Sequence, residues 1–283
     1  MLCLYLVNEH PFFMRMAANS IFMLRQHNKT IPVRLYYIED ARKETAPGAF
    51  PTVYSTDSFF DLCRTHDVEV VRRPVRTLPG DEGFFFAQRC QWEEVPEQDV
   101  LCIDGDTFIS GDVAELFKKY NSDLNACPNN WVYAAGFKDE LPFTPFNNGV
   151  VLWRNGWLQR WSRELPHLCR GLRDRTLRPA LSTFLYNFHE GCAHREEFST
   201  SLLVERHGLS HSYFDPKDVL LLGTDMDFLK IPDSIIAHTY SQNWRRALAL
   251  LKKYDRRLYI KGLEVTRPGV QGDPGRENPE RGG

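Results

Sequence analysis

The chain has 283 residues, of which 42% are hydrophobic, 25% charged and 13% aromatic. These are globular values with enough apolar surface for a core, which excludes a disordered chain or a fibrous repeat, and the length allows one large α/β domain or two small ones. The 35 Lys and Arg against 37 Asp and Glu leave a formal net charge of −2; this argues against nucleic acid as the main partner, and no apolar run approaches the roughly 18 residues that span a bilayer.

The chain opens with an apolar run, Cys3–Val7, that reads as a strand and ends at Asn8-Glu9-His10-Pro11. Pro11 suits a first helical turn, and Phe12–His27 carries apolar residues at helical spacing. Pro32–Ile38 reads as a second strand, so the start is β-α-β and implies a parallel sheet. Asp57–His66 reads as a helix and Asp67–Arg72 as a third strand, followed by a Pro/Gly turn region at Pro74–Gly83. Asp99–Ile103 is the next strand, and Asp112–Tyr120 a helix with Asp112 as its cap. Leu124–Ala126 and Val132–Ala135 are short apolar pieces, and Phe146–Trp153 is a strand entered through a polar turn. Asn155–Gly171 and Arg195–His207 read as helices, Val219–Leu222 and Ser234–Ala237 as late strands, and Trp244–Leu258 as a last helix. That helix has a basic face, Arg245, Arg246, Lys252, Lys253, Arg256 and Arg257. A solvated face on a core-packed helix is preferred to peripheral contact with an anionic membrane. The final stretch, Thr266–Gly283, is rich in Gly and Pro, lacks aromatics and reads as a disordered tail.

The seven cysteines are an odd number, widely spaced and without a C-x-x-C pair. That is a poor disulfide framework and a poor zinc site, and it fits buried thiols in a reducing cytosol. The N-terminus agrees, because it lacks a basic n-region and is too short for a signal peptide.

The strongest chemical signal is Val100–Thr107, where a buried strand ends in Asp104-Gly105-Asp106. Ligands in open α/β sheets bind outside the carboxyl ends of the strands. Two aspartates there offer hard oxygen ligands for Mg²⁺ or Mn²⁺ shared with a diphosphate. An ordinary solvated turn uses the same residues. The second signal is Asn147-Asn148-Gly149 at the head of a buried strand: amides can hold sugar hydroxyls, and glycine lets the backbone approach closely. An Asn-Gly turn feeding a strand would look alike. The third is His238, directly after an apolar strand, whose imidazole can complete an Mn²⁺ site or serve the fold. The fourth is Glu196-Glu197, which can serve a helix dipole or accept hydrogen bonds from sugar hydroxyls.

Together, LYLVNEHPFFMRMAANSIFMLRQHN, VLCIDGDTFISGDVAELF, FNNGVVLWRN, REEFSTSLL and His238 before Trp244 resemble the GT-A glycosyltransferases, and among them the family 8-like, glycogenin-like retaining transferases, over roughly residues 3–250. The resemblance implies a single Rossmann-like α/β domain over residues 1–262, with a mainly parallel central sheet flanked by helices. It implies Mn²⁺ or Mg²⁺ on Asp104, Asp106 and His238, and a nucleotide-sugar donor, a UDP-sugar being favoured. Gly105 belongs to the diphosphate-binding motif, and Asn147, Asn148 and Gly149 to the segment that lines the donor sugar. Glu196 and Glu197 match a pair facing that sugar, Arg89 an arginine near the donor phosphate, and Val7 and Asn8 the base and ribose site. Where the family often shows His-Phe-x-Gly-x-x-Lys-Pro-Trp, this chain runs from His238 to Trp244 without Gly, Lys or Pro. Arg245 is the candidate replacement for the lysine. The acceptor is unidentified, with Trp131–Lys138 and Arg173–Cys192 as candidate acceptor loops. Two other classes compete: a phosphatase or phosphotransferase of the Asp-x-Asp type, and an inactive nucleotide-binding module.

Overall fold

The computed structural model describes residues 1–39, 55–76, 86–129, 141–187, 191–222, 231, 233–239 and 244, with the side chains of 86–87, 184–187 and 191–195 left aside. The elements in chain order are β1 (Leu2–Asn8), α1 (Pro11–His27), β2 (Val33–Glu39), α2 (Thr56–Thr65), β3 (Val68–Pro74), a 3₁₀ segment (Phe86–Glu94), β4 (Val100–Ile103), β5 (Thr107–Ile109) and α3 (Ala114–Lys119). They continue with β6 (Leu124–Pro128), β7 (Phe146–Trp153), α4 (Trp157–Arg173), α5 (Pro179–Asn187), α6 (Gly191–His207), β8 (His211–Tyr213), β9 (Val219–Leu221) and β10 (Ile236–His238).

A seven-stranded sheet runs β3-β2-β1-β4-β7-β6-β8, and a three-stranded sheet runs β5-β10-β9. β1 pairs in parallel with both β2 and β4, whereas β7 is antiparallel to β4 and β6. The chain therefore builds outward from β1 to β3, then returns to place β4 on the other side of β1. That reversal opens a crevice at the carboxyl ends of β1 and β4.

β1 reads as a continuous apolar run because both of its faces are covered. Cys3, Tyr5 and Val7 pack with Met14, Ala17, Ile21 and Leu24 of α1. Leu2, Leu4 and Leu6 share the opposite layer with Leu158, Trp161, Leu165 and Leu168 of α4 and with α6 residues. Cys3, Cys63, Cys90, Cys102 and Cys127 are free and buried, and Cys169 is buried too. Among the described residues no helix is long and apolar enough to cross a membrane.

Several boundaries differ from those expected from the sequence. α4 begins at Trp157 rather than Asn155, because Asn155 and Gly156 have φ of 56° and 77° and cannot start a helix. α3 begins at Ala114 with Val113, not Asp112, at its N-cap and no side-chain cap there; Asp112 stands one residue earlier and accepts the Ala114 N–H at 2.9 Å. α6 begins at Gly191, so Glu196 and Glu197 lie beyond its first turn, where a helix dipole has little hold on them. β5, β8, α5 and the 3₁₀ segment are not legible as elements in the sequence. Val132–Ala135, nearly all of the Trp244–Leu258 helix and the 266–283 tail lie outside the described residues.

Trp161 joins the layers. Its ring stacks on Trp153 at 5.4 Å and tilts against Trp92 at 6.4 Å, and its Nε1 donates to Ser199 Oγ at 3.1 Å. Trp161→Ala is expected to cost about 3–5 kcal/mol of stability, the usual range for a buried tryptophan, measured by denaturant unfolding.

Candidate active site

The Asp104–Asp106 turn leaves β4 at the crevice and is fixed from several sides. The Asp104 N–H donates to Gly149 O at 2.8 Å. The Thr107 hydroxyl donates to Asp104 O at 2.9 Å and bonds Ser20 Oγ at 2.7 Å, which in turn lies 3.1 Å from the Tyr5 hydroxyl. Asp106 O accepts from the Thr239 N–H at 3.1 Å and from its hydroxyl at 2.8 Å. Gly105 rests on α1, and a Cβ there would stand 3.1 Å from Ala17 N.

His238 arrives from the small sheet. In the antiparallel β5–β10 pair it faces Thr107, one residue after Asp106. Its Nε2 lies 3.2 Å from Asp106 Oδ1 and its Nδ1 lies 3.1 Å from Asn147 Oδ1. Ligand atoms of Asp104, Asp106 and His238 all lie within 4.8 Å of one another. Two carboxylates and an imidazole form a donor set that suits Mn²⁺ or a similar divalent ion.

The Asn147–Gly149 segment is shaped by a register shift in the β6–β7 pair. Ala126 faces Val151 while Cys127 faces Asn147, so the intervening residues bulge out of the β6 ladder. Gly149 has a steric reason of its own: a Cβ there would lie 2.0 Å from His238 Cε1. The imidazole occupies the space that a side chain would need. Asn148 is buried, and its Nδ2 donates to Glu196 Oε1 at 3.0 Å and Thr200 Oγ1 at 2.9 Å. Its Oδ1 is buried without a partner among the described residues. Glu197 accepts from Asn147 Nδ2 and Asn129 Nδ2, each at 2.9 Å.

Arg89 is the buried cation between the acids, at 2% exposure. It donates to Asp104 Oδ1 at 2.5 Å, to Glu196 Oε1 at 2.7 Å and to Asn148 O at 3.3 Å, and its guanidinium lies 5.4 Å from the Trp92 ring. Burial pushes Asp104 up to about 6 and Glu196 up to about 7, with Arg89 opposing both shifts. Burial lowers Arg89, but Glu196 and Asp104 outweigh it and its pKa is raised. Burial likewise lowers His238, and Asp106 outweighs it, so the imidazole holds a proton more tightly than usual.

Asp104, Gly105, Asp106, His238, Arg89, Asn147, Asn148, Gly149, Glu196 and Glu197 therefore form one contiguous cluster. Val7 and Asn8 stand at the carboxyl end of β1, one strand away. The Val7 side chain is packed in the core, so only its backbone is available to a ligand. The Asn8 side-chain oxygen accepts the His10 N–H at 3.1 Å. Arg245 and the Trp131–Lys138 loop lie outside the described residues. Asn129 and Thr200 do not stand out in the sequence. Strand pairing alone brings Asn129 to the site: it follows Pro128, which pairs with Phe146, next to Asn147.

No family model and no curated protein matches the sequence. Solved structures do match. The galactosyltransferase LgtC, solved in complex with donor and acceptor sugar analogs, superposes with a TM-score of 0.54 at 11% identity, over 88% of this chain and 96% of that one. The glycosyltransferase GlyE of Streptococcus pneumoniae TIGR4 gives 0.51 at 14% identity, over 92% of this chain and 65% of that one. The bifunctional glycosyltransferase WbbM gives 0.51 at 10% identity, over 92% and 52%. The chain has the GT-A fold. The structural neighbours bear out the resemblance read from the motifs, and at these identities what they share with this chain is the fold. In the GT-A frame, the carboxyl ends of β1 and β4 carry the site just described.

Two outcomes test this geometry. Arg89→Met is expected to destabilise the protein by about 3–5 kcal/mol, since it strands buried carboxylates without their cation. Arg89 holds both carboxyls down, so they take up protons at higher pH in the variant. The loss should be largest at high pH and mostly gone below the wild-type values of about 7 for Glu196 and about 6 for Asp104; denaturant unfolding at pH 9 and pH 5 measures it. Gly149→Ala is expected to cost about 1–3 kcal/mol by overpacking, and much less when His238→Ala has removed the ring it strikes. A double-mutant cycle reads that coupling.

Proposed function

We propose that this protein is a metal-dependent glycosyltransferase that moves a sugar from a nucleoside-diphosphate sugar, with UDP favoured, to an acceptor hydroxyl, with retention of configuration. The observation that carries the reading is the convergence of Asp104, Asp106 and His238 within 4.8 Å at the crevice of a GT-A fold. These three residues would hold Mn²⁺ or Mg²⁺, which when bound stabilises the charge gathering on the leaving diphosphate as a Lewis acid.

The remaining roles fall to the chain itself. Glu196, Glu197 and Asn148 surround the cluster with acceptors that steady positive charge at the sugar through its hydroxyls. Arg89 keeps Asp104 and Glu196 in place, so these acids do not have to reorganise when the donor arrives. The backbone of Val7 and the side chain of Asn8 face the base and ribose, and Arg245 is the candidate diphosphate cation from the segment after His238. Acceptor hydroxyl attack takes place on the face from which the diphosphate departs. The buried free thiols Cys3, Cys63, Cys90, Cys102 and Cys127 favour a reducing compartment, the cytosol.

Thermal-shift binding tests the donor class. UDP with Mn²⁺ is expected to raise the melting temperature, because it binds only the folded state, and EDTA is expected to abolish the rise. Asp106→Ala should lose the metal-dependent shift and lower sugar-nucleotide cleavage by about a hundredfold or more, several kcal/mol of barrier. No shift with any nucleoside diphosphate would favour the inactive-module or phosphatase reading.

A further inference from the structure

We propose that Asn147 is a positioning residue for His238: its side-chain oxygen keeps the imidazole proton on Nδ1 and so turns Nε2 toward the cation shared with Asp104 and Asp106. The assignment rests on the metal-dependent reading above.

The polarity of the Asn147 amide is fixed at both ends. The Gly149 N–H lies 3.1 Å from one amide atom, and a backbone N–H can only donate, so that atom is Oδ1. The other amide atom lies 2.9 Å from Glu197 Oε1, where the NH₂ group donates to a carboxylate oxygen. Glu197 is itself held from its far side by Asn129. The atom facing His238 Nδ1 at 3.1 Å is therefore an acceptor, and Nδ1 must carry the hydrogen. In the metal-free protein Nε2 lies 3.2 Å from Asp106 Oδ1, where it donates to the carboxylate; a cation that displaces that proton meets the Nε2 lone pair. The ring lies flat on Gly149, so close that a Cβ would fall 2.3 Å from Nδ1 and 2.6 Å from Nε2. Metal-binding histidines are tuned in this way by a partner on the other ring nitrogen. Here that partner is an amide oriented by a carboxylate, on the β7 residue that pairs with Cys127 where the bulge ends. Asn147 thus acts on the cation site through His238.

The test measures Mn²⁺ affinity by electron paramagnetic resonance and the His238 tautomer by nitrogen-15 spectroscopy with Zn²⁺ as a diamagnetic probe, the resonance being assigned with His238→Gln. Asn147→Leu is expected to weaken Mn²⁺ binding by about ten- to a hundredfold and to leave the tautomers mixed. Asn147→Asp combined with Glu197→Gln exchanges donor and acceptor across their contact while keeping the acceptor for Nδ1. It is expected to return the affinity to the wild-type value, and it keeps the question decidable if Asn147→Leu does not fold. Wild-type Mn²⁺ affinity in Asn147→Leu, or a His238 proton found on Nε2 in the Zn²⁺-loaded wild type, would overturn the assignment. A wild-type chain that takes up no Mn²⁺ would overturn the metal reading and this assignment together, whereas tight Mn²⁺ binding indifferent to position 147 would overturn the assignment alone.

Discussion

Four carboxylates from two segments, Asp104 and Asp106 after β4 and Glu196 and Glu197 on α6, meet at one end of the sheet, and the structure depends on holding them there. Carboxylates out of water resist ionising beside one another unless cations or donors compensate. Arg89 compensates Asp104 and Glu196, His238 compensates Asp106, and two asparagine amides compensate Glu197. Desolvation still wins at Asp104 and Glu196, whose affinity for protons stays raised. A site with this excess of acid is poised for a further cation, and the geometry leaves the Asp104, Asp106 and His238 ligand atoms close enough to share one.

The fold brings this about with three ordinary devices. The reversal of strand order around β1 opens the crevice and sets the end of β4 in it. The bulge in β7 takes Asn148 and Gly149 out of the β6 ladder, with Asn147 paired to Cys127 at its edge, and sets the three beside the acids. The small sheet β5-β10-β9 carries His238 alongside the strand that leaves Asp106. Beneath them, a β1 buried on both faces and the tryptophans between β7 and α4 supply a rigid floor. Ser199 links that floor to the site, since it accepts from Trp161 and donates to Glu196 O at 2.5 Å.

Much of this arrangement is legible in the residues themselves. The apolar run into Asp104-Gly105-Asp106 announces a buried strand and its exit, because strand burial and hard oxygen ligands are both written in residue type. His238 is legible as the end of an apolar strand. The reason for Gly149 is not, since its neighbour lies far along the chain and only the fold reveals that an imidazole fills the missing Cβ. For the same reason Asn147 reads as a sugar-binding amide, and its contacts with His238 and Glu197 emerge only from tertiary pairing. β5 and β8 have three residues each, too few for a period to declare itself. The start of α6 is misplaced by the sequence pattern because helical spacing fixes a face more firmly than a boundary.

The central claim is that Asp104, Asp106 and His238 share one divalent ion. A crystal structure of the chain with Mn²⁺ and UDP, with anomalous scattering recorded at the manganese edge, tests it most directly. The expected result is a single anomalous peak bonded to both aspartates and to His238 Nε2, with the diphosphate on its open side. A peak elsewhere, or nucleotide bound with no peak at these residues, would contradict the account.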